Sequence, residues 1–203
     1  MQAALTELEA VNDILLTTGY APMNSFEEAA YDQTIARSEL AKAVREVCAH
    51  GFSFNTDEDY VLSPDADDGV IIIPEGALSV DPSDRRQNLV QRKHPTRGFC
   101  LWDKANLTWT MAEAVKVNVT WSFSYDELPQ IARNFAMHSA GNRFQTRMLG
   151  DGTLNRFTSE DVQRAWTVLL RDDARTADRN IFEHSPELAA KTNRRRRGWR
   201  AGM

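Results

Sequence analysis

The chain has 203 residues and a mass of 23.0 kDa, enough for one domain or a domain with a large insertion. Its 42% hydrophobic and 26% charged residues argue against a wholly disordered or collagen-like chain, and no run approaches the 18 apolar residues of a spanning helix. The net charge of −5 is unevenly spread: residues 191–203 carry six bases and no acid, while the other 190 hold 18 bases against 29 acids. An acidic body with a basic end points to a separate partner for that end.

The first 50 residues read as two antiparallel helices. Leu5, Leu8, Val11, Ile14 and Leu15 recur at helical spacing before Gly19 and Pro22 stop the run. Ser25 and Glu28 have capping-box spacing, which predicts the start of a second helix. Its stripe is Ile35, Ala36, Leu40, Ala43, Val44 and Val47, with Gly51 placed to end it.

From Phe52 to Tyr125 the texture changes. Pro64, Pro74, Pro82 and Pro95, with Gly69, Gly76 and Gly98, separate short apolar runs at Val70–Ile73, Leu89–Val90 and Phe99–Trp102, the pattern of short strands and turns. Val115, Val117, Val119, Trp121, Phe123 and Tyr125 alternate with polar residues. The alternation predicts one long half-buried strand of roughly 36 Å, reaching beyond one subunit's core.

Asp126 is placed to cap a third helix, with Pro129 in its first turn. This helix runs to Leu149 and ends at Gly150-Asp151-Gly152. Ile131, Phe135 and His138 lie on one side, and Met137, Phe144 and Met148 on another, so burial on two sides is expected. A fourth helix is expected from Ser159 to Phe182, with Val162, Trp166, Leu169, Leu170, Ala177 and Ile181 as its stripe. Asp172, Asp173, Arg175, Asp178 and Arg179 form its solvated face. The fold class is therefore α+β. Residues 1–51 and 126–183 form an antiparallel helical bundle from both chain ends, 52–125 a β-rich insertion, and 184–203 an extended basic tail.

Catalytic chemistry finds little support. His50, His94, His138 and His184 occur in no zinc-protease or paired-cysteine pattern. Cys48 and Cys100 are too few for a disulfide framework and read as buried thiols in a reducing compartment. His138 reads as a core or interface histidine. Asp57, Glu58 and Asp59, then Asp65, Asp67 and Asp68, read as solvated turns; as a glycosidase pair they would need burial to raise a pKa. The second group lacks the alternation and closing glutamate of a calcium loop, and no glycine-rich phosphate loop occurs. No enzyme activity, cofactor or metal is expected. The N-terminus, with two acids and no base in nine residues, does not read as a secretory leader.

Lys191, Arg194, Arg195, Arg196, Arg197, Trp199 and Arg200 can grip phosphates or an acidic protein surface, or serve as a solubilising end. The acidic body argues against a general DNA binder.

Two blocks carry a family resemblance. The first is Glu7-Leu8-Glu9-Ala10-Val11-Asn12-Asp13-Ile14-Leu15, continuing to Gly19-Tyr20-Ala21-Pro22. The second is Tyr125-Asp126-Glu127-Leu128-Pro129, continuing through Asn142-Arg143-Phe144-Gln145-Thr146-Arg147 to Gly150. In this order, around a divergent β-rich middle, they resemble the tail tubular protein A family of T7-like short-tailed bacteriophages, the adaptors between portal and tail nozzle. The basic C-terminus is not part of that pattern.

The resemblance implies a virion protein, a ring of twelve copies under the portal. A nozzle protein lies below it, tail fibres attach near the junction, and DNA passes through the channel. No membrane insertion and no catalytic centre are implied. A cyclic ring needs two different patches per subunit. Trp102, Trp109, Trp121, Phe144 and Met148 are candidate ring-interface residues, since aromatic residues dominate interface hot spots. The tryptophans can equally fill the core of the insertion. The arginine-rich end is a candidate for docking on the portal. The alternatives are a tail-borne cell-wall hydrolase and a DNA-contacting module built on the arginine tail.

Overall fold

The computed structural model describes residues 4–27 and 30–184, with the backbone alone for 177–184. The described residues form a mixed α+β fold with four helices and two small antiparallel sheets. The calls on the tail, Lys191 to Arg200, lie outside the described residues, as do those on the side chains of Ala177, Asp178, Arg179 and Ile181.

Helix α1 spans Glu7–Leu16. Thr6 starts it with a reciprocal cap: its hydroxyl accepts the Glu9 N–H at 3.3 Å, and the Glu9 carboxylate accepts the Thr6 N–H at 2.8 Å. Helix α2 spans Tyr31–His50 rather than starting at Ser25. The reason lies in Asn12, whose side chain accepts the Met23 N–H at 2.8 Å and donates to the Met23 carbonyl at 2.9 Å. That clamp fixes the linker across α1, so Ser25 falls in a connection. The Ala30 N–H is instead taken up by Gln33 Oε1 at 2.8 Å. Gly51 closes α2 in the left-handed conformation, φ 76°.

Five strands follow. β1 (Thr56–Leu62), β5 (Val115–Trp121) and β2 (Ala77–Pro82) form one sheet in the order β1–β5–β2; β3 (Leu89–His94) and β4 (Gly98–Asp103) form a hairpin. Of the expected apolar run Val70–Ile73, only Val70 and Ile72 make isolated bridges. Gly69 turns that segment at φ 70°; a Cβ there would meet Thr110 Cγ2 at 2.8 Å, so no larger residue fits without movement.

The alternation in β5 is as expected, with Val115, Val117 and Val119 buried, but the strand stops at Trp121, four residues early. The Trp121 N–H leaves the ladder for the Asn55 carbonyl and the Ser122 N–H for the Gly76 carbonyl. Tyr125 lies in a single 3₁₀ turn, Tyr125–Glu127.

Helix α3 covers Gln130–Met148, and Asp126 does not cap it. Proline disfavours helical backbone in the residue before it. Leu128 is accordingly extended at φ −70°, ψ 148°, and the helix begins only after Pro129. Helix α4 spans Gly152–His184 and starts seven residues before the expected Ser159. Its start is fixed by the Asp151 carboxylate, which accepts the Thr153 and Leu154 N–H groups at 2.7 and 3.1 Å.

All four helices contribute to one apolar cluster, which includes Ile14, Leu15, Leu40, Val47, Phe52, Phe144 and Leu169. Ala132, Ala136 and Ala140 line the buried face of α3, so helix axes can approach closely there. Leu170, expected in the stripe of α4, is 41% exposed, and Asp173, expected on its solvated face, accepts the Ser53 N–H at 2.8 Å. A second cluster, with Ile71, Val80, Leu101, Val117 and Val119, lies between the sheet and the hairpin.

Candidate assembly surfaces

The hairpin register decides what β3 and β4 present. Arg92 pairs with Cys100, Val90 with Trp102 and His94 with Gly98. Paired residues share a face, so Arg92, His94 and Trp102 lie on the side opposite Leu101, which is packed against the sheet. The Trp109 ring completes this group, 4.6 Å from Trp102 and 4.8 Å from His94 between centroids, both edge-to-face. The Arg92 guanidinium stands 5.2 Å from the Trp102 ring centroid.

A tight loop returns Trp109 to this position. The Asp103 carboxylate accepts the Asn106 side-chain amide at 2.7 Å and the Ala105 and Asn106 N–H groups, and these bonds hold its pKa below the usual range. Leu107, at φ 53°, is thrust out at 72% exposure.

At the hairpin's other end, Arg97 bridges Asp65 at 3.0 Å and Asp68 at 2.9 Å. The Asp65 pKa is lowered, first by the Asp67 N–H and then by Arg97. Cys100 is buried beneath, its thiol pKa raised by desolvation; Cys48 is likewise buried and raised.

The other candidate residues are dispersed. Trp121, on β5, donates from Nε1 to Asp57 at 2.8 Å and meets Tyr60 edge-to-face at 5.7 Å. Met148 is half-buried against the helical core. Phe144 is fully buried in that core, packed edge-to-face with Tyr20, and has no surface to offer a neighbour. Its α3 register turns it toward α1 and α2, a distinction that apolar character alone could not draw. Arg92 and His94 were missed; two-residue alternation toward Trp102 was the signal that could have found them.

A cleft of about 330 Å³ lies where α1, α3 and α4 meet, lined by Asp13, Leu16, His138 and Asp161 among others. Asp161 is engaged by Arg164 at 3.2 Å. Among the described residues, no group of three or more histidine, cysteine or acidic side chains is placed to hold a metal ion, and no helix is long and apolar enough to cross a membrane.

A family model described as tail tubular protein matches residues 8–179, through both helical ends and the β middle. The chain belongs to the tail tubular protein family. A search of curated proteins finds no match. Membership makes this tail tubular protein a structural component of a phage tail, assembled with other tail proteins. The expected resemblance thus holds at family level.

Proposed function

We propose that this tail tubular protein is the head-to-tail adaptor of a short-tailed phage. Twelve copies form a ring between portal and tail nozzle, leave a channel for the ejected DNA and help anchor the fibres. Its task is geometric rather than catalytic. The observation that carries this reading is the family match over residues 8–179. The hairpin, with Phe99 exposed and Trp102 and Trp109 half-buried, supports it, because a ring subunit needs surfaces that are completed by neighbours.

In this reading, residues 1–51 and 126–183 act as one helical bundle, 52–125 as an insertion that reaches toward neighbours, nozzle and fibres, and 184–203 as a basic arm. Lys191, Arg194, Arg195, Arg196, Arg197, Trp199 and Arg200 dock on an acidic surface of the portal. Trp102, Trp109, Trp121 and Met148 remain the candidates for contact between copies.

Mass photometry of the purified chain mixed with its portal protein at micromolar concentration tests the ring. A discrete species of portal plus about twelve copies is expected. Free monomers alone would sink the proposal. Deleting residues 191–203 should weaken portal binding, and the full-length interaction should weaken with salt. Portal binding that is indifferent to both would leave the arm without this role.

A further inference from the structure

Two surfaces of the β region have opposite charge. Residues 85–104 hold Arg85, Arg86, Arg92, Lys93, Arg97 and Lys104 against a single acid, Asp103. Arg97 is held internally by Asp65 and Asp68; none of the ion pairs among the described residues uses the other five. In a chain whose first 190 residues are strongly acidic, this hairpin is a cationic island. It also carries the half-buried Trp102 and Trp109 and, at its tip, Phe99, which is 53% exposed.

The counterpart is β1. Among the described residues this strand pairs with β5 alone, so no other described strand covers its second edge. It carries Glu58, with Asp57 bonded to Trp121 and Asp59 4.0 Å from the exposed Lys116, beside the exposed apolar side chains of Tyr60 and Val61. The sheet order keeps the two surfaces apart, because β1 is the edge remote from β2 whereas β3 packs beside β2. One molecule therefore cannot satisfy both by folding on itself. Two unlike patches set apart on one subunit are what a head-to-tail contact requires.

We infer that adjacent copies of this chain join through these surfaces, the Arg92–Trp102–Trp109 face of the hairpin on one copy seating against the β1 edge of the next. This rests on the ring reading above and names the contact within it. Arg92 stands over Trp102 at 5.2 Å and enters no ion pair among the described residues, so its N–H groups are available to a carboxylate. Tyr60 and Val61 supply apolar cover for the tryptophans. The contact is one of side chains and not a continued ladder. The register of β1 slips between Asp57 and Tyr60, and Asp59 sits at φ 55°, which breaks the run of backbone groups a new strand would need.

The test is a charge swap. A hairpin variant carries Arg85→Glu, Arg86→Glu and Arg92→Glu, the last on the proposed face itself. An edge variant carries Glu58→Lys, Asp59→Asn and Val61→Lys; asparagine tolerates the left-handed backbone at 59. Circular dichroism and thermal melting confirm that each is folded. Each variant alone should need about tenfold or more protein to assemble, since like charges then face each other. Mixed one to one, the two should assemble again, because alternating copies restore opposite charge at every junction.

Single variants that assemble as well as the wild type, or a mixture that does not recover, overturn this interface and leave the ring intact. A wild-type chain that stays monomeric with and without portal removes the ring reading, and this contact with it. If the hairpin variant loses retention on duplex DNA while self-assembly is untouched, the hairpin serves DNA and the inference fails.

Discussion

Asn55 and Trp121 hold each other twice. The Trp121 N–H donates to the Asn55 carbonyl at 2.8 Å, and Asn55 Nδ2 donates to the Trp121 carbonyl at 2.7 Å. The same amide reaches the Cys48 carbonyl at 2.8 Å, and Asn55 Oδ1 accepts the Phe52 N–H at 3.0 Å. One buried side chain thereby ties the end of α2 to the end of β5, the junction between helices and sheet.

Asn55→Ala is expected to lower stability by about 3 kcal/mol, because it strands several polar groups away from water. Asn55→Asp should rescue little, since a carboxylate accepts from Phe52 but cannot donate to the two carbonyls. Urea denaturation measures both. A loss below about 1 kcal/mol for the alanine variant would show that the junction is held elsewhere.

Phe144 distinguishes core from interface. Phe144→Ala should destabilise the isolated chain by about 3–5 kcal/mol, with the cavity adding to lost burial. Its effect should be the same at any protein concentration. A melting temperature unchanged in dilute monomer, with assembly alone impaired, would return Phe144 to the surface.

Glu39, only 2% exposed on α2, is met by Lys42 at 2.8 Å and Arg147 at 2.6 Å, both of which reach solvent. Lys42→Met combined with Arg147→Met leaves a buried carboxylate unpaired, at a cost of about 3–5 kcal/mol. Glu39→Met should cost less, because the freed cations turn to water. Equal losses in chemical denaturation would contradict this asymmetry.

The Arg143 guanidinium donates twice to the Glu46 carboxylate, once at 2.8 Å, and holds its pKa below the usual value. A carboxylate lowered in the folded state contributes stability that is fully present above its unfolded pKa, about 4.3, and lost as pH falls through the folded value. Glu46→Gln should therefore destabilise near pH 7, and the difference should vanish in acid. The Glu46 side chain is 60% exposed, so the neutral-pH effect stays under about 1 kcal/mol. Denaturation midpoints at a series of pH values decide; a pH-independent gap would refute the linkage.

Periodicity made some elements legible. The stripes of α1 and α2 and the Val115–Val119 alternation are as expected, because their apolar spacing repeats within the element. β1 was not legible: Thr56–Leu62 buries only Leu62 and pairs with a strand more than fifty residues away. Nor was the alanine face of α3, since small residues signal close approach rather than hydrophobic bulk. The starts of α2, α3 and α4 were displaced by the Asn12 clamp, by Pro129 and by the Asp151 cap. At the hairpin, the tryptophans could be named from composition. Their grouping with Arg92 and His94 depends on the β3–β4 register and on the Asp103 loop.

β2 and β5 are neighbours, with Pro82 opposite Val117. The polypeptide thus leaves the sheet after β2 and re-enters it at β5 by one doorway. Whatever lies between can lengthen or change at little entropic expense, about 0.6 kcal/mol per doubling of a flexible loop. A lineage of such chains can trade the outward-facing portion, as a tool holder takes different bits, while the four helices keep their packing.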